Sequence, residues 1–460
     1  MVKNCNDLSP DEKNKLVNLF FITSGCMLVW TSPVLPKLQS NDTSINPLEK
    51  PMSLLQISIM TSINPLGSAL GTILTGKIPD LIGRKRTIQY LCLILFTAFF
   101  GLFFANEVYL FYICLTIIST VVSAGCIVVP IYTAEIAEDH NRGTLGYFLS
   151  TASVLGQLYA FTIGSVTNVN LFSLLCGAPI ILLYIFSYFI PESPVYLLLK
   201  GNKDKAIKEL KKLGKFTDID SLELIASEKH KILKQSNDRS VVAKNTSIKK
   251  KSVKRAIILS IAVISIQNLA GMHIVLAFLG TLLNDVTTSL SGNTLAIIVI
   301  VFKLISNLLG LNIIDNIGRR FLLLLAIIIC GISMFLLGIF FYFKENHYIL
   351  SQPIKLLPVL FFIIFVIMYT LGLTSLPFIL RTELLPNEIR SLGCSIAQLV
   401  GNLLMFATAF VYPMVAEYLG VHYCMFTLSF FCFSGFIGLY LYLPETKGKS
   451  FLEIENILSR

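Results

Sequence analysis

Hydrophobic residues come in twelve long runs, with short polar clusters between them. The runs cover about 16–36, 53–75, 88–105, 108–133, 144–166, 171–190, 256–283, 293–314, 321–343, 356–380, 391–415 and 422–443. Each is close to the roughly 20 apolar residues that carry an α-helix across a bilayer. A chain of 460 residues that is 54% hydrophobic and 14% charged cannot hide so much apolar surface in a water-soluble fold. The pattern predicts an all-α membrane protein with twelve transmembrane helices. The first run does not read as a signal peptide, because Asp7, Asp11 and Glu12 precede it and no small-residue cleavage site stands out.

The polar clusters repeat. Gly76-Lys77-Ile78-Pro79-Asp80-Leu81-Ile82-Gly83-Arg84-Lys85 is answered by Asp315-Asn316-Ile317-Gly318-Arg319-Arg320. Glu135 with Arg142 seven residues on is answered by Glu383 with Arg390. Pro191-Glu192-Ser193-Pro194 is answered by Pro444-Glu445-Thr446-Lys447-Gly448. The order is kept at offsets of 235, 248 and 253 residues, so only loop lengths drift. Two six-helix halves repeated in parallel are the organisation of a large class of secondary transporters. This divides the chain into a first pseudo-symmetric bundle (1–190), a linker (191–255), a second bundle (256–443) and a tail (444–460).

Charge orients the chain. With both termini in the cytosol, 32 of the 37 Lys and Arg residues fall in cytosolic segments. Lys37, Lys50, Lys344 and Lys355 fall in outer loops, and Lys303 lies within a helix. The linker alone holds 17 basic and 8 acidic residues. The net charge of +10 therefore belongs largely to one cytosolic segment facing anionic inner-leaflet lipid, and it does not imply a nucleic-acid partner. In that linker, Ser193-Pro194 predicts a helix start. Ala206, Ile207, Leu210 and Leu213 then fall at helical spacing, which predicts two or three short amphipathic helices. Residues 236–252 read as flexible. The segment is either a tether or a latch closing the inner mouth. None of the ten cysteines lies in an outer loop, so they read as small buried hydrophobes rather than disulfides. Asn41-Asp42-Thr43 is a glycosylation sequon in the first outer loop.

Taken together, the doubled Asp-x-x-Gly-Arg loops, the doubled Glu-x6-Arg loops and the Pro-Glu-Ser-Pro and Pro-Glu-Thr-Lys-Gly pair resemble the sugar porter family of the major facilitator superfamily. Trp30-Thr31-Ser32-Pro33 is similar to its insect trehalose-facilitator branch. The resemblance covers essentially the whole chain. It implies a major facilitator fold and transport of a sugar, trehalose or a hexose such as glucose, by a monomeric carrier in the plasma membrane without a cofactor. The repeated charges lie at cytosolic helix ends, where the two halves would meet with the inner mouth shut. Asp80, Glu135, Glu192, Asp315, Glu383 and Glu445 can pair there with Arg84, Arg142, Arg319, Arg320 and Arg390, forming a latch that biases a two-state equilibrium. Leu81 stands where the family usually has Arg, which weakens the first half of that latch.

A sugar site needs amides and hydroxyls that chelate vicinal hydroxyls, together with an aromatic face. The family's seventh helix supplies a Gln-Gln-x-Ser-Gly-x-Asn pattern. Here the stretch reads Gln267-Asn268-Leu269-Ala270-Gly271-Met272-His273, so Gln267 and Gly271 match, while Asn268 and His273 depart from it. The fifth-helix position that is often Gln is Ser150. On the tenth helix the flexible Gly-Pro pairs are gone, and Pro377-Phe378 retains a kink and a ring that serves equally as substrate platform or as packing. The eleventh-helix Asn-Trp pair is Gly401-Asn402. Lys303 replaces a family amide about ten residues from either end of its helix, at a cost of about 2.5–3.5 kcal/mol if it meets lipid. Such a residue reads as cavity-facing, and with His273 it suggests a negatively charged or modified sugar.

No Asp or Glu lies inside the twelve runs, and the first helix lacks the Asp of proton-coupled relatives. This favours facilitated diffusion by alternating access over proton coupling. Two alternatives stand: a carrier with an altered, anionic substrate, and a non-transporting sugar sensor. Tails of about 15 and 17 residues argue against the sensor. No nucleophile–base set, phosphate loop, metal cluster or dinucleotide motif points to an enzyme.

Overall fold

The hydropathy runs are helical in the computed structural model of the chain, which describes residues 16–43, 45–75, 78–136, 142–212, 251–284, 291–316, 318–348, 352–385, 389–445 and 453. Among the described residues, ten helices are long and apolar enough to cross a bilayer: Leu19–Leu38, Arg84–Phe103, Val108–Thr133, Val169–Ser187, Val253–Asn284, Gly292–Gly310, Arg319–Glu345, Ile354–Arg381, Gly393–Tyr418 and Val421–Tyr442. Two more complete the twelve. Leu54–Leu74 is a full-length helix whose hydropathy is lowered by Gln56, Thr61, Ser62, Asn64 and Ser68. Arg142–Gly164 is apolar only over Phe148–Gly164. In chain order these are the first to twelfth spans. No strand occurs among the described residues.

Three spans are interrupted, each for a local reason. The first breaks at Trp30 between Leu19–Val29 and Thr31–Leu38. Pro33 has no N–H to return to the Val29 carbonyl, so the ladder lapses there. The seventh breaks between Lys251–Leu269 and Met272–Asn284, where Gly271 takes φ +85. That is a left-handed value that a side chain would resist. The tenth runs as Gln352–Met368, a wide π-turn over Tyr369–Thr374, then Leu376–Leu384. Pro377 leaves the Leu373 carbonyl without its helical donor, and the wide turn precedes it. A π-turn therefore occupies the stretch where the Gly-Pro pairs are missing from the sequence. The helix also continues four residues past 380. This corrects the placement of Arg381, which the hydropathy pattern leaves in a cytosolic loop and the structure puts on the tenth span.

The chain packs as two compact units. The first takes residues up to 27 with 67–160 and 168–242; the second takes 28–66, 161–167 and 243 onward. Inside the first unit, the first and fifth spans cross with backbone against backbone. A Cβ on Gly25 would lie 1.9 Å from the Ser153 carbonyl oxygen, and one on Gly156 2.0 Å from that of Ile22. Inside the second unit, the Gly280 N–H donates to Ser32 Oγ at 2.9 Å and the Thr61 hydroxyl donates to the Ala409 carbonyl at 3.1 Å. These bonds hold the later first span and the early second span against the seventh and eleventh spans.

Among the described linker residues, two short helices are present, Pro194–Leu199 and Lys203–Lys212. Ser193 caps the first, accepting the Tyr196 N–H at 3.2 Å, with Pro194 at its first position. Ala206 is fully buried. Leu213 and residues 236–250 lie outside the described residues. Nine cysteines are described, all as free thiols. Cys126 is exposed and Cys394 half-buried, which corrects the expectation that each would be buried.

Candidate functional site

The repeated motifs build the same object twice. The third span begins at Arg84 after Gly83, which has no side chain to cap the helix and sits at φ +100. Its orphan N–H groups find a carboxylate from more than a hundred residues on: Glu192 Oε1 accepts from Arg84 N at 2.9 Å and Lys85 N at 3.0 Å. A Cβ on Gly83 would come within 2.5 Å of Glu192 Oε2, so the glycine leaves room for that cap. The Arg84 side chain is 2% exposed. Its Nε donates to Glu135 Oε2 at 3.0 Å and its Nη2 to Glu135 Oε1 at 3.2 Å, a two-point fork. Nη1 donates to the Pro79 carbonyl at 3.1 Å, and Asp80 Oδ1 lies 2.9 Å from Nη2. Ser193 Oγ donates to Glu135 Oε2 at 2.5 Å, and the Tyr132 hydroxyl donates to the Pro191 carbonyl at 2.7 Å.

The second copy repeats the glutamate cap and the arginine–glutamate pair, without the two-point fork. Gly318 precedes the ninth span and has no capping side chain. Glu445 supplies the cap, accepting from Arg319 N at 3.2 Å and Arg320 N at 3.1 Å. Arg319 Nη1 pairs with Glu383 Oε1. Arg320 Nη2 donates to the Tyr440 carbonyl at 2.6 Å. Glu192 and Glu445 are therefore equivalent, as are the Arg84–Glu135 and Arg319–Glu383 pairs. Each pair closes within its own half of the sequence. The side chains of Arg142, Asp315 and Arg390 lie outside the described residues.

The intramembrane candidates gather mostly on the second half. Gln267 is half-buried, and its carbonyl accepts the Tyr369 hydroxyl at 3.0 Å, which ties the end of the first seventh-span segment to the tenth-span π-turn. Asn268 Nδ2 donates to its own helix at Ile264 O, 3.0 Å, and lies over Gly401 of the eleventh span. The break at Gly271 separates these amides from His273, whose Nε2 meets Thr408 Oγ1 at 2.9 Å. Thr408 also reaches the Leu404 carbonyl at 2.9 Å. With the hydroxyl proton on that carbonyl, His273 donates from Nε2 and keeps Nδ1 as an acceptor. Lys303 is 7% exposed in mid-span. Ser306, one turn on, donates to the Ile367 carbonyl of the tenth span at 3.1 Å. Phe378 is 43% exposed and Asn402 is buried. Ser150 is half-buried on the fifth span, in the first unit. A groove of about 790 Å³ between the seventh and twelfth spans, past Leu259, Ser265 and Gly435, contains none of these residues.

The sequence profile described as Sugar (and other) transporter matches residues 22–458. The chain belongs to this transporter family. The facilitated trehalose transporter Tret1 of Culex quinquefasciatus is 27% identical over 444 residues, covering 95% of this chain and 84% of the relative. That of Aedes aegypti is also 27% identical and covers 95% of this chain, which spans 54% of the relative. Among solved structures, the inward open conformation of the xylose transporter XylE from E. coli superposes with a TM-score of 0.77 at 20% identity, covering 97% of this chain and 98% of that one. The likeness is one of fold: an all-α, twelve-helix membrane carrier.

Against the family's pattern, three polar residues escape sequence reading. Arg381 lies on the tenth span, three residues after Phe378, with its guanidinium 4.4 Å from the ring centroid. Gln398 on the eleventh span accepts from Arg381 Nη1 at 2.8 Å and donates from Nε2 to Asn402 Oδ1 at 3.1 Å. This chain of contacts joins Phe378 to Asn402. Gln157 is buried on the fifth span. A single amide in an apolar run leaves little sequence signal, and Arg381 lies close enough to a helix end to pass for loop charge.

Proposed function

We propose that this protein carries a sugar, trehalose or a hexose such as glucose, across the plasma membrane by facilitated diffusion through alternating access. The observation that carries the reading is the family match over nearly the whole chain, joined to a gate motif built twice in the same geometry. The trehalose transport named for these relatives suggests the cargo. The absence of Asp and Glu from the twelve runs supports uncoupled transport. The chain works as a monomer with both termini in the cytosol, as the basic-residue bias favours. Arg84, Glu135, Glu192, Arg319, Arg320, Glu383 and Glu445, with Asp80, Arg142, Asp315 and Arg390, form the cytosolic gate. Gln267, Asn268, His273, Lys303, Ser150, Phe378 and Asn402 bind the sugar. Asn41, which is exposed, carries a glycan.

The test is uptake in oocytes of labelled trehalose, glucose and glucuronate, with and without a pH gradient. Saturable uptake of at least one sugar that ignores the gradient is expected, and no uptake of any of them sinks the reading. Lys303→Gln removes a mid-membrane cation worth about 2.5–3.5 kcal/mol of insertion cost and restores the family's amide. Neutral-sugar uptake per molecule at the surface should rise. A fall would mean that the ammonium itself holds neutral sugar. Asn41→Gln should abolish a glycosidase-sensitive mass shift.

A further inference from the structure

We propose that the tenth and eleventh spans hold an anion-recognising subsite built on the side edge of the Arg381 guanidinium, and that the cargo is a sugar bearing a carboxylate or phosphate. The inference rests on the sugar-carrier reading above and changes its cargo from a neutral sugar to an acidic one.

The guanidinium is held on two sides. The Phe378 ring lies 4.4 Å from its carbon and fixes its plane. Gln398 Oε1 takes Nη1 at 2.8 Å. Arginine only donates, so Gln398 must turn its oxygen towards it and its Nε2 away, onto Asn402 Oδ1 at 3.1 Å. Asn402 in turn keeps its Nδ2 hydrogens on the far side of that bond. The relay therefore fixes three side chains and leaves donors at both ends. At the arginine end, Nε is buried and meets no acceptor among the described residues. Nε and Nη2 form the side-on fork that matches the two oxygens of a carboxylate or phosphate.

The helices bearing this fork offer it no acid. Glu383 is two residues along, on another face of the helix, and pairs with Arg319. The eleventh span's acid beyond Gln398 is Glu417, 19 residues on, or about 28 Å at 1.5 Å per residue. A buried guanidinium edge, unpartnered among the described residues, on apolar helices that offer it no carboxylate favours an anion supplied by the ligand. An arginine in such a helix faces water or a polar partner rather than lipid.

The experiment uses the purified full chain and four probes: glucose, glucuronate, glucose 6-phosphate and an anionic phospholipid. Thermal unfolding reports binding, and uptake into proteoliposomes reports transport. One acidic sugar should act at concentrations at least about tenfold below those of glucose, the factor expected for one charge-assisted fork. Which acid it is decides between carboxylate and phosphate. Arg381→Gln should erase that preference and keep the response to glucose. Arg381→Lys, which keeps the charge and loses the fork, should fall between, and it stands as the test if the glutamine form is unstable. Equal responses to glucose and both acids, or a preference that survives Arg381→Gln, overturns the proposal. A shift given only by anionic phospholipid assigns the fork to a headgroup and also overturns it. If acidic sugar stabilises the native chain, not the glutamine form, and no sugar is transported, the subsite stands and the carrier reading falls. If glucose is carried and neither acid binds, the reverse holds.

Discussion

Arg84→Ala lowers the unfolding temperature of the purified chain far more than Arg319→Ala, although the two residues occupy equivalent places. The first copy of the motif is buried, with side-chain exposures of 2% for Arg84 and 9% for Glu135, against 29% for Arg319 and 21% for Glu383. Removing Arg84 strips both Glu135 oxygens of their charged donor and leaves that carboxylate in a site with little access to water. Breaking a buried pair from one side costs about 3–5 kcal/mol. The second pair is partly solvated, and its loss costs about 1 kcal/mol or less. The measurement is thermal unfolding in detergent, monitored by size-exclusion recovery. Equal losses for the two variants would mean that burial does not set the asymmetry. Arg84→Lys keeps a charge but not the two-point fork, so it should recover part of the loss.

The same comparison shows what a gate can do here. Each glutamate cap and each arginine–glutamate pair joins helix ends within its own half of the sequence. The gate reading then needs contacts between halves that form and break while these pairs persist.

Much of this was legible in sequence because glycine, arginine and glutamate have few other reasons to recur in order at the ends of apolar runs. Gly83 and Gly318 precede helices they cannot cap, and the Pro-Glu motifs supply the missing acceptor. What sequence concealed were departures inside the runs. The break at Gly271 lies among Leu269, Ala270 and Met272, and hydropathy does not register a change of φ. The π-turn over Tyr369–Thr374 carries no proline of its own, since Pro377 comes three residues later. Arg381 stands three residues from the end of a helix that continues past its apolar run. Its role emerges only when Gln398, from another span, is seen at 2.8 Å.

Gly156→Val abolishes recovery of folded carrier, whereas Gly438→Val leaves it unchanged. Both are glycines in apolar spans, and hydropathy predicts a mild gain for each. At Gly156 the new Cβ would lie 2.0 Å from the Ile22 carbonyl oxygen, and the reciprocal glycine, Gly25, already rests on the Ser153 carbonyl. Both obstacles are backbone, which cannot rotate away as a side chain can. The first and fifth spans would have to separate, breaking the Cys26 Sγ–Gly156 O contact at 3.3 Å and the packing around it. Overpacking costs about 1–3 kcal/mol where side chains yield, and more where they cannot. Small residues at such crossings let membrane helices approach, since lipid offers no hydrophobic drive to hold them together. At Gly438 a Cβ meets nothing within 4 Å. Surface yield and unfolding temperature of the two valine variants and of Gly156→Ala should rank Gly438→Val near native, Gly156→Ala lower and Gly156→Val lowest. Equal stability of the two valine forms would show that the first and fifth spans can part without loss. The close crossing would then be a resting place along their motion rather than a fixed joint of the first half.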